Sequence, residues 1–192
     1  MKQYILPLFL TSILIVSCNK DKAEPSVSVI NGDIEKKMEG WEFGSEVSDT
    51  ATPNDFAMGF TAEASSSPQY SLKITCSDVK NPTSFGYFVQ KLPNANIAKG
   101  AKVTLKVKIK TREVLGNGIS IGLRGNRNGD NSPVFFKTTE GSITIKGTNE
   151  FTEYETVINS YPAQIDNLFI FLVYLPETTG TVYFDDVQLS IK

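Results

Sequence analysis

The sequence predicts an all-β protein built as a two-sheet antiparallel β-sandwich. Three observations predict it. Over residues 102–112, apolar Val103, Leu105, Val107 and Ile109 alternate with Thr104, Lys106, Lys108 and Lys110. That period of two sends one face of a strand into a core and the other into water. Strand-forming aromatics abound, with 12 Phe and 7 Tyr, while stretches of helical period are hard to find. Gly, Pro, Asn and Asp clusters interrupt the chain at short intervals, as between strands. Short strands with no helical partner leave two sheets to cover one another.

The N-terminal segment is separate from this pattern. Lys2 precedes an uncharged run from Gln3 to Ser17, after which Ile15-Val16-Ser17-Cys18 gives way to polar Asn19-Lys20-Asp21-Lys22. A spanning helix wants about 20 apolar residues, and this run is shorter and broken by Pro7, Thr11 and Ser12. An ordinary secretory signal fits the charge and the apolar run equally well, but gives no reason for a cysteine straight after Ser17. The segment resembles a bacterial lipoprotein signal peptide with its lipobox. The resemblance implies cleavage before Cys18, lipidation of Cys18 and a membrane held through that lipid anchor. Several acyl chains on one residue make a firm anchor. The expected organisation is a signal peptide over 1–17, the lipidated cysteine and a polar tether containing Pro25 over 18–27, and a β-sandwich over 28–192.

Within the domain, Ser71-Leu72-Lys73-Ile74-Thr75-Cys76 reads as a strand, and Ser142 to Lys146 repeats the alternation in short form. Residues 168–175 are apolar on both parities, as expected of a central strand covered on both sides. Turns are expected at Asn117-Gly118, Asn128-Gly129-Asp130 and Thr179-Gly180, the last joining two antiparallel strands.

Composition excludes several functions. Without residues 1–17 the chain keeps 18 basic and 21 acidic residues, a net of −3, which gives no reason to expect nucleic acid as a partner. There is no histidine, so Ser-His-Asp and Cys-His catalytic sets and histidine-ligated zinc are excluded. With Cys18 carrying lipid, Cys76 has no partner for an intrachain disulfide, and its expected role is a small buried hydrophobe. Carboxylate chemistry stays open, since a glycosidase needs two acids, but no motif pairs two of them. The row Lys106, Lys108, Lys110 and Arg112 suggests either a site for an acidic glycan or phosphate, or a solvated strand face. The solvated face is the expectation, with Glu153 and Glu155 available across a neighbouring strand.

Both ends of the domain carry acids. Asn31-Gly32-Asp33-Ile34-Glu35 opens it, and Gly180 to Leu189, with Asp185-Asp186, closes it. Carboxylates in a last strand are costly if buried alone. Either the two aspartates sit at the sheet rim or a cation compensates them, and calcium takes six to eight oxygens from carboxylates and carbonyls. Asn31 to Glu35, Gly40-Trp41, Ser71 to Ile74, Gly86 to Gln90 and Phe184 to Val187 resemble the jelly-roll carbohydrate-binding modules and the wider galactose-binding-like domains. The resemblance spans about residues 28–192. It implies a jelly roll and a structural calcium ion (Ca2+) where the first and last strands meet. Its candidate ligands are Asp33, Glu35, the carbonyl of Lys73, and Asp185 or Asp186.

Sugar binding needs a ring under the pyranose face and polar groups for the hydroxyls. Trp41, Tyr87, Phe135, Phe136, Tyr174 and Tyr183 are the available rings, and Arg124, Asn126, Arg127, Asn128 and Asp130 form a polar loop. From these, Trp41, Tyr87, Arg124, Asn126 and Tyr174 are the candidate ligand-binding residues. The adjacent Phe135 and Phe136 must split between two faces, so one ring is expected in the core. Trp41 follows a glycine near the domain entrance, where capping the sandwich is its alternative role. The chain has one Trp and so no row of tryptophans.

The leading expectation is a non-catalytic, lipid-anchored module that binds a glycan at the outer membrane or cell surface of a Gram-negative, Bacteroidetes-like envelope. A structural or adaptor lipoprotein that contacts another envelope protein is the alternative. A carboxylate-based glycan hydrolase or lyase comes third.

Overall fold

The computed structural model describes residues 27–47, 52–93, 96–129 and 132–192. Cys18, the expected signal peptide and tether up to Ser26, and Asp130 lie outside the described residues.

Among the described residues, nine strands form two antiparallel sheets: β1 (Glu42–Glu46), β2 (Ala57–Thr61), β3 (Ser71–Cys76), β4 (Phe85–Pro93), β5 (Val103–Asn126), β6 (Pro133–Thr138), β7 (Ile145–Ile158), β8 (Asn167–Tyr174) and β9 (Thr179–Ile191). The long strand β5 belongs to both sheets. Its first half pairs with β9 and β7, and β9 continues through β3 to β2. Its second half pairs with β8 and β6, and β8 continues through β4 to β1. The expected two-sheet antiparallel sandwich is therefore the observed fold.

The alternation in β5 decides where the core lies. Val103, Leu105, Val107 and Ile109 are fully buried, and they meet Leu72, Ile74, Val182 and Phe184 of their own sheet. Phe88, Ile121, Leu123, Leu168, Ile170 and Leu172 cover them from the other sheet. Burying these apolar faces is the main driving force for folding. Cys76 joins the core as expected, its Sγ donating to the Asp78 carbonyl, and burial pushes its thiol pKa up.

Two expected turns differ. Asn117-Gly118 does not close a hairpin: it lies inside β5, where the strand passes from one sheet to the other. Positive φ values at Glu113, Gly116 and Gly118 and register shifts against both partners bend the strand there. A Cβ on Gly116 would sit 1.8 Å from the Glu177 carbonyl oxygen, so that close crossing requires glycine. Thr179-Gly180 belongs to β9, and the link from β8 runs through Leu175–Thr178 instead. The strand expected from Ser142 begins at Ile145.

The lysine row is the solvated face expected of it. Lys106 pairs with Glu153, Lys108 with Asp186 and Lys110 with Glu150, while Arg112 donates to the Tyr183 hydroxyl.

Candidate functional site

The outer face of the β1–β4–β8–β5–β6 sheet carries a cleft of about 570 Å³. Strand register places its side chains in rows. One row runs Gly44, Tyr87, Val173, Ser120. The next runs Val89, Phe171, Gly122, Thr138, and a third runs Lys91, Phe169, Arg124, Phe136. In each strand these residues have the parity opposite to the core, so side-chain alternation alone sets them outward.

Phe171 is the centre of a ring cluster. Its centroid lies 5.8 Å from that of Tyr87, 5.6 Å from Phe136 and 6.4 Å from Phe169. Phe85 extends the cluster at 6.0 Å from Tyr87. Two glycines make room for it. A Cβ on Gly44 would fall 2.8 Å from the Tyr87 hydroxyl, and one on Gly122 would fall 3.2 Å from the Phe136 ring.

Polar groups stand at the two ends. At one end Tyr87 donates from its hydroxyl to Glu46 over 3.0 Å, with Glu140 also on the wall. Burial and this carboxylate push the Tyr87 pKa up, so the phenol keeps its proton. At the other end the Arg124 Nε donates to Asn126 Oδ1 over 2.9 Å, which holds the side chain along the strand. Lys91 lies over the Phe169 ring at 5.9 Å.

Of the five candidate ligand-binding residues, the structure brings Tyr87, Arg124 and Asn126 together in this cleft. Trp41 and Tyr174 are corrections. Trp41 is 4% exposed, and its Nε1 donates to the Asn31 carbonyl, so it caps the core. Tyr174 is fully buried because it shares the parity of Ile170 and Leu172, and its hydroxyl donates to the Gly180 carbonyl. Tyr183 is also buried, with its hydroxyl donating to Glu63. Phe135 and Phe136 split as expected: Phe135 packs on Tyr161 and Phe136 is 52% exposed in the cleft.

Phe85, Val89, Phe169, Phe171 and Val173 also line the cleft, beyond the sequence-based candidates. Residues 168–175 are apolar on both parities because one parity fills the core and the other floors a cleft, not because a second layer covers them. The available signal was the pair Phe169 and Phe171 at a spacing of two beside Tyr87 and Val89.

The acids at the domain ends form a second cluster. Asp185 is fully buried at a bulge in β9, where Asp186 adopts a φ of 46°. Its carboxylate accepts from the main-chain N–H groups of Ser66, Ser67 and Asp186 and from the Ser67 hydroxyl. Burial raises its pKa despite these donors. Asp186 instead accepts from Ser66 Oγ and pairs with Lys108.

The Ser67 hydroxyl has one proton, yet it also lies 3.0 Å from Glu35 Oε1, 2.7 Å from the Asp33 carbonyl and 3.3 Å from the Tyr70 carbonyl. Glu35 additionally accepts from the N–H groups of Gln69 and Tyr70, and the Gln69 bond leads in lowering its pKa. Lys73 is not part of this cluster. Its ammonium pairs with Glu63, and its backbone sits between Gly59 and Tyr183 in the sheet. Among the described residues, no three acidic, thiol or imidazole side chains form a metal-holding group.

No protein-family model and no curated protein matches the chain. Solved structures do. The enzymatically active domain of tailspike protein 4 from bacteriophage CBA120 matches with a TM-score of 0.63 at 12% identity, covering 86% of this chain and 22% of that one. The chain thus spans about a fifth of the tailspike's length. A family 16 carbohydrate-binding module matches with a TM-score of 0.56 at 16% identity, covering 84% and 98%. TmCBM61 in complex with β-1,4-galactotriose matches with a TM-score of 0.55 at 11% identity, covering 87% and 100%. At such identities the likeness is one of fold: this chain has the β-sandwich of carbohydrate-binding modules.

Proposed function

We propose that this protein is a non-catalytic carbohydrate-binding module that takes a glycan into the cleft around Phe171. The observation carrying this reading is the four-ring cluster of Tyr87, Phe136, Phe169 and Phe171 with hydrogen-bonding groups at both ends. Rings stack against the C–H faces of pyranoses while polar groups take the hydroxyls. The cleft volume also suits a small oligosaccharide, since ligand pockets run roughly 300–1,000 Å³. Affinity electrophoresis against a polysaccharide panel tests it, with Phe171→Ala losing whatever retardation the wild type shows.

The lipobox-like sequence ending at Cys18 supports a lipid anchor, which would hold this cleft at the outer membrane or cell surface of a bacterial envelope. Metabolic labelling with a fatty-acid analogue, abolished by Cys18→Ala, checks the anchor. A second reading, an adaptor for another envelope protein, is favoured by the floor's reliance on phenylalanine rather than tryptophan. One stoichiometric protein partner without glycan retention would support it.

A structural calcium ion remains part of the reading. The single Ser67 proton facing the oxygens of Asp33, Glu35, Tyr70 and Asp185 fits a cluster that a cation completes. The Asp33 and Tyr70 carbonyls with the Glu35 and Asp185 carboxylates would hold it, without Lys73 or Asp186. Excess chelator lowers the melting temperature on this reading, and an unchanged value argues against the ion.

A further inference from the structure

The middle of the cleft contains little that can hydrogen-bond. Between Tyr87 and Glu46 at one end and Arg124 and Asn126 at the other, the floor is Val89, Val173, Phe171, Gly122 and Thr138, whose Cγ2 methyl is the atom nearest Gly122. Ser120 stands beside Val173 but is buried, its hydroxyl engaged with that of Thr139 at 3.1 Å. A free sugar hydroxyl pressed onto this floor loses its water and gains no partner, which costs free energy. The same floor rewards an apolar substituent, because a methyl group leaves water without an unsatisfied donor or acceptor.

The charge around the cleft is divided between its two ends. Among the lining residues two carboxylates, Glu46 and Glu140, stand against one guanidinium, Arg124. Glu42 adds a third acid on the same side of β1, opposite Val89, while Lys91 stands beside Phe169. The acids thus gather toward Tyr87 while Lys91 and Arg124 flank Phe169, so a carboxylate is repelled at the Tyr87 end, where a neutral ester is not.

We propose that the cleft selects O-acylated glycans, and that acetyl groups on the sugar fill the apolar floor formed by Val89, Phe171 and Val173. The inference rests on the glycan reading and narrows it to an ester-substituted sugar chain. The hydroxyls that remain free are held at the two ends, by Tyr87 and Glu46 and by Arg124 and Asn126. Val89 becomes the specificity-determining position: threonine there has nearly the same shape but sets a hydroxyl into the floor.

The test is calorimetric titration of the protein with O-acetylated xylan, glucomannan, pectin and alginate oligosaccharides. Each is measured before and after mild alkaline removal of its acetyl groups. The expected result is that at least one acetylated form binds about tenfold more tightly than its deacetylated partner, the gain from a few buried methyl groups. Val89→Thr reduces that ratio to within about threefold by weakening the acetylated form, while the melting temperature stays close to that of the wild type. Equal or tighter binding of the deacetylated forms overturns the inference and leaves the glycan reading intact. No binding of any oligosaccharide in either form overturns both. A preference for acetylated chains that Val89→Thr leaves unchanged overturns the assignment to this floor.

Discussion

Phe171 and Phe136 come from strands that do not pair with each other, yet their rings meet at 5.6 Å across Gly122 of the strand between them. The missing side chain of Gly122 allows this. Its Cβ would lie 2.9 Å from Thr138 Cγ2 and 3.2 Å from the Phe136 ring. Gly122→Val is therefore expected to push Phe136 off Phe171 and to weaken ligand binding at least tenfold. The accompanying stability loss is about 1–3 kcal/mol, the usual cost of overpacking. Paired titration and thermal melts check both.

Phe171 and Tyr174 separate binding from folding. They are three residues apart on β8 but on opposite faces of the sheet. Phe171→Ala removes a half-buried ring outside the core, so binding is lost at a stability cost of about 1–2 kcal/mol. Tyr174→Ala opens the core and orphans the Gly180 carbonyl, which costs about 3–5 kcal/mol. Denaturant melts distinguish the two variants.

How far the sequence revealed this arrangement depends on the strand. In β5 the apolar and polar letters alternate strictly, and Val103 to Ile109 could be assigned to the core outright. In β8 both parities are apolar, so the pattern identified a strand but concealed which rings face outward. Trp41 and Tyr174 are candidates by virtue of their rings alone, and aromatic identity carries no information about face. The passage of β5 between sheets was equally hidden. Asn117-Gly118 satisfies the local chemistry of a hairpin turn, and only pairing with strands distant in sequence keeps the chain going through it. The bulge at Asp185 and Asp186 gave a partial signal, since two adjacent acids cannot both face a core.

Asp185 gives a pH signature. Burial raises its pKa in the folded state above the ordinary value of 3.8, so the folded protein binds the proton more tightly than the unfolded chain. Stability from this group therefore falls as pH rises from below the unfolded pKa through the folded one, and is recovered on acidification. Glu35 runs the opposite way, because the N–H of Gln69 holds its pKa below the ordinary value. Comparing wild type with Asp185→Asn isolates the first effect. In the presence of chelator, the stability advantage of the wild type shrinks from acid pH toward neutrality. A constant difference across that range counts against a buried, ionisable Asp185.

Tyr161 predicts a gain. Its hydroxyl is buried with no hydrogen-bond partner, and burial pushes its pKa up to about 12. Tyr161→Phe removes an unpaired polar atom while keeping the ring against Phe135. Stability should stay level or rise by about 1 kcal/mol. A loss larger than that, read by denaturant titration, means the hydroxyl is satisfied in solution.

The central claim is that the cleft around Phe171 binds glycan, and affinity electrophoresis of three proteins tests it most directly. Wild type, Phe171→Ala and the opposite-sheet variant Lys110→Ala are run through gels containing each polysaccharide of a broad panel. The account predicts retardation of the wild type and Lys110→Ala by the same polysaccharide, with Phe171→Ala migrating freely. Equal retardation of all three, or free migration of all three in every gel, contradicts it.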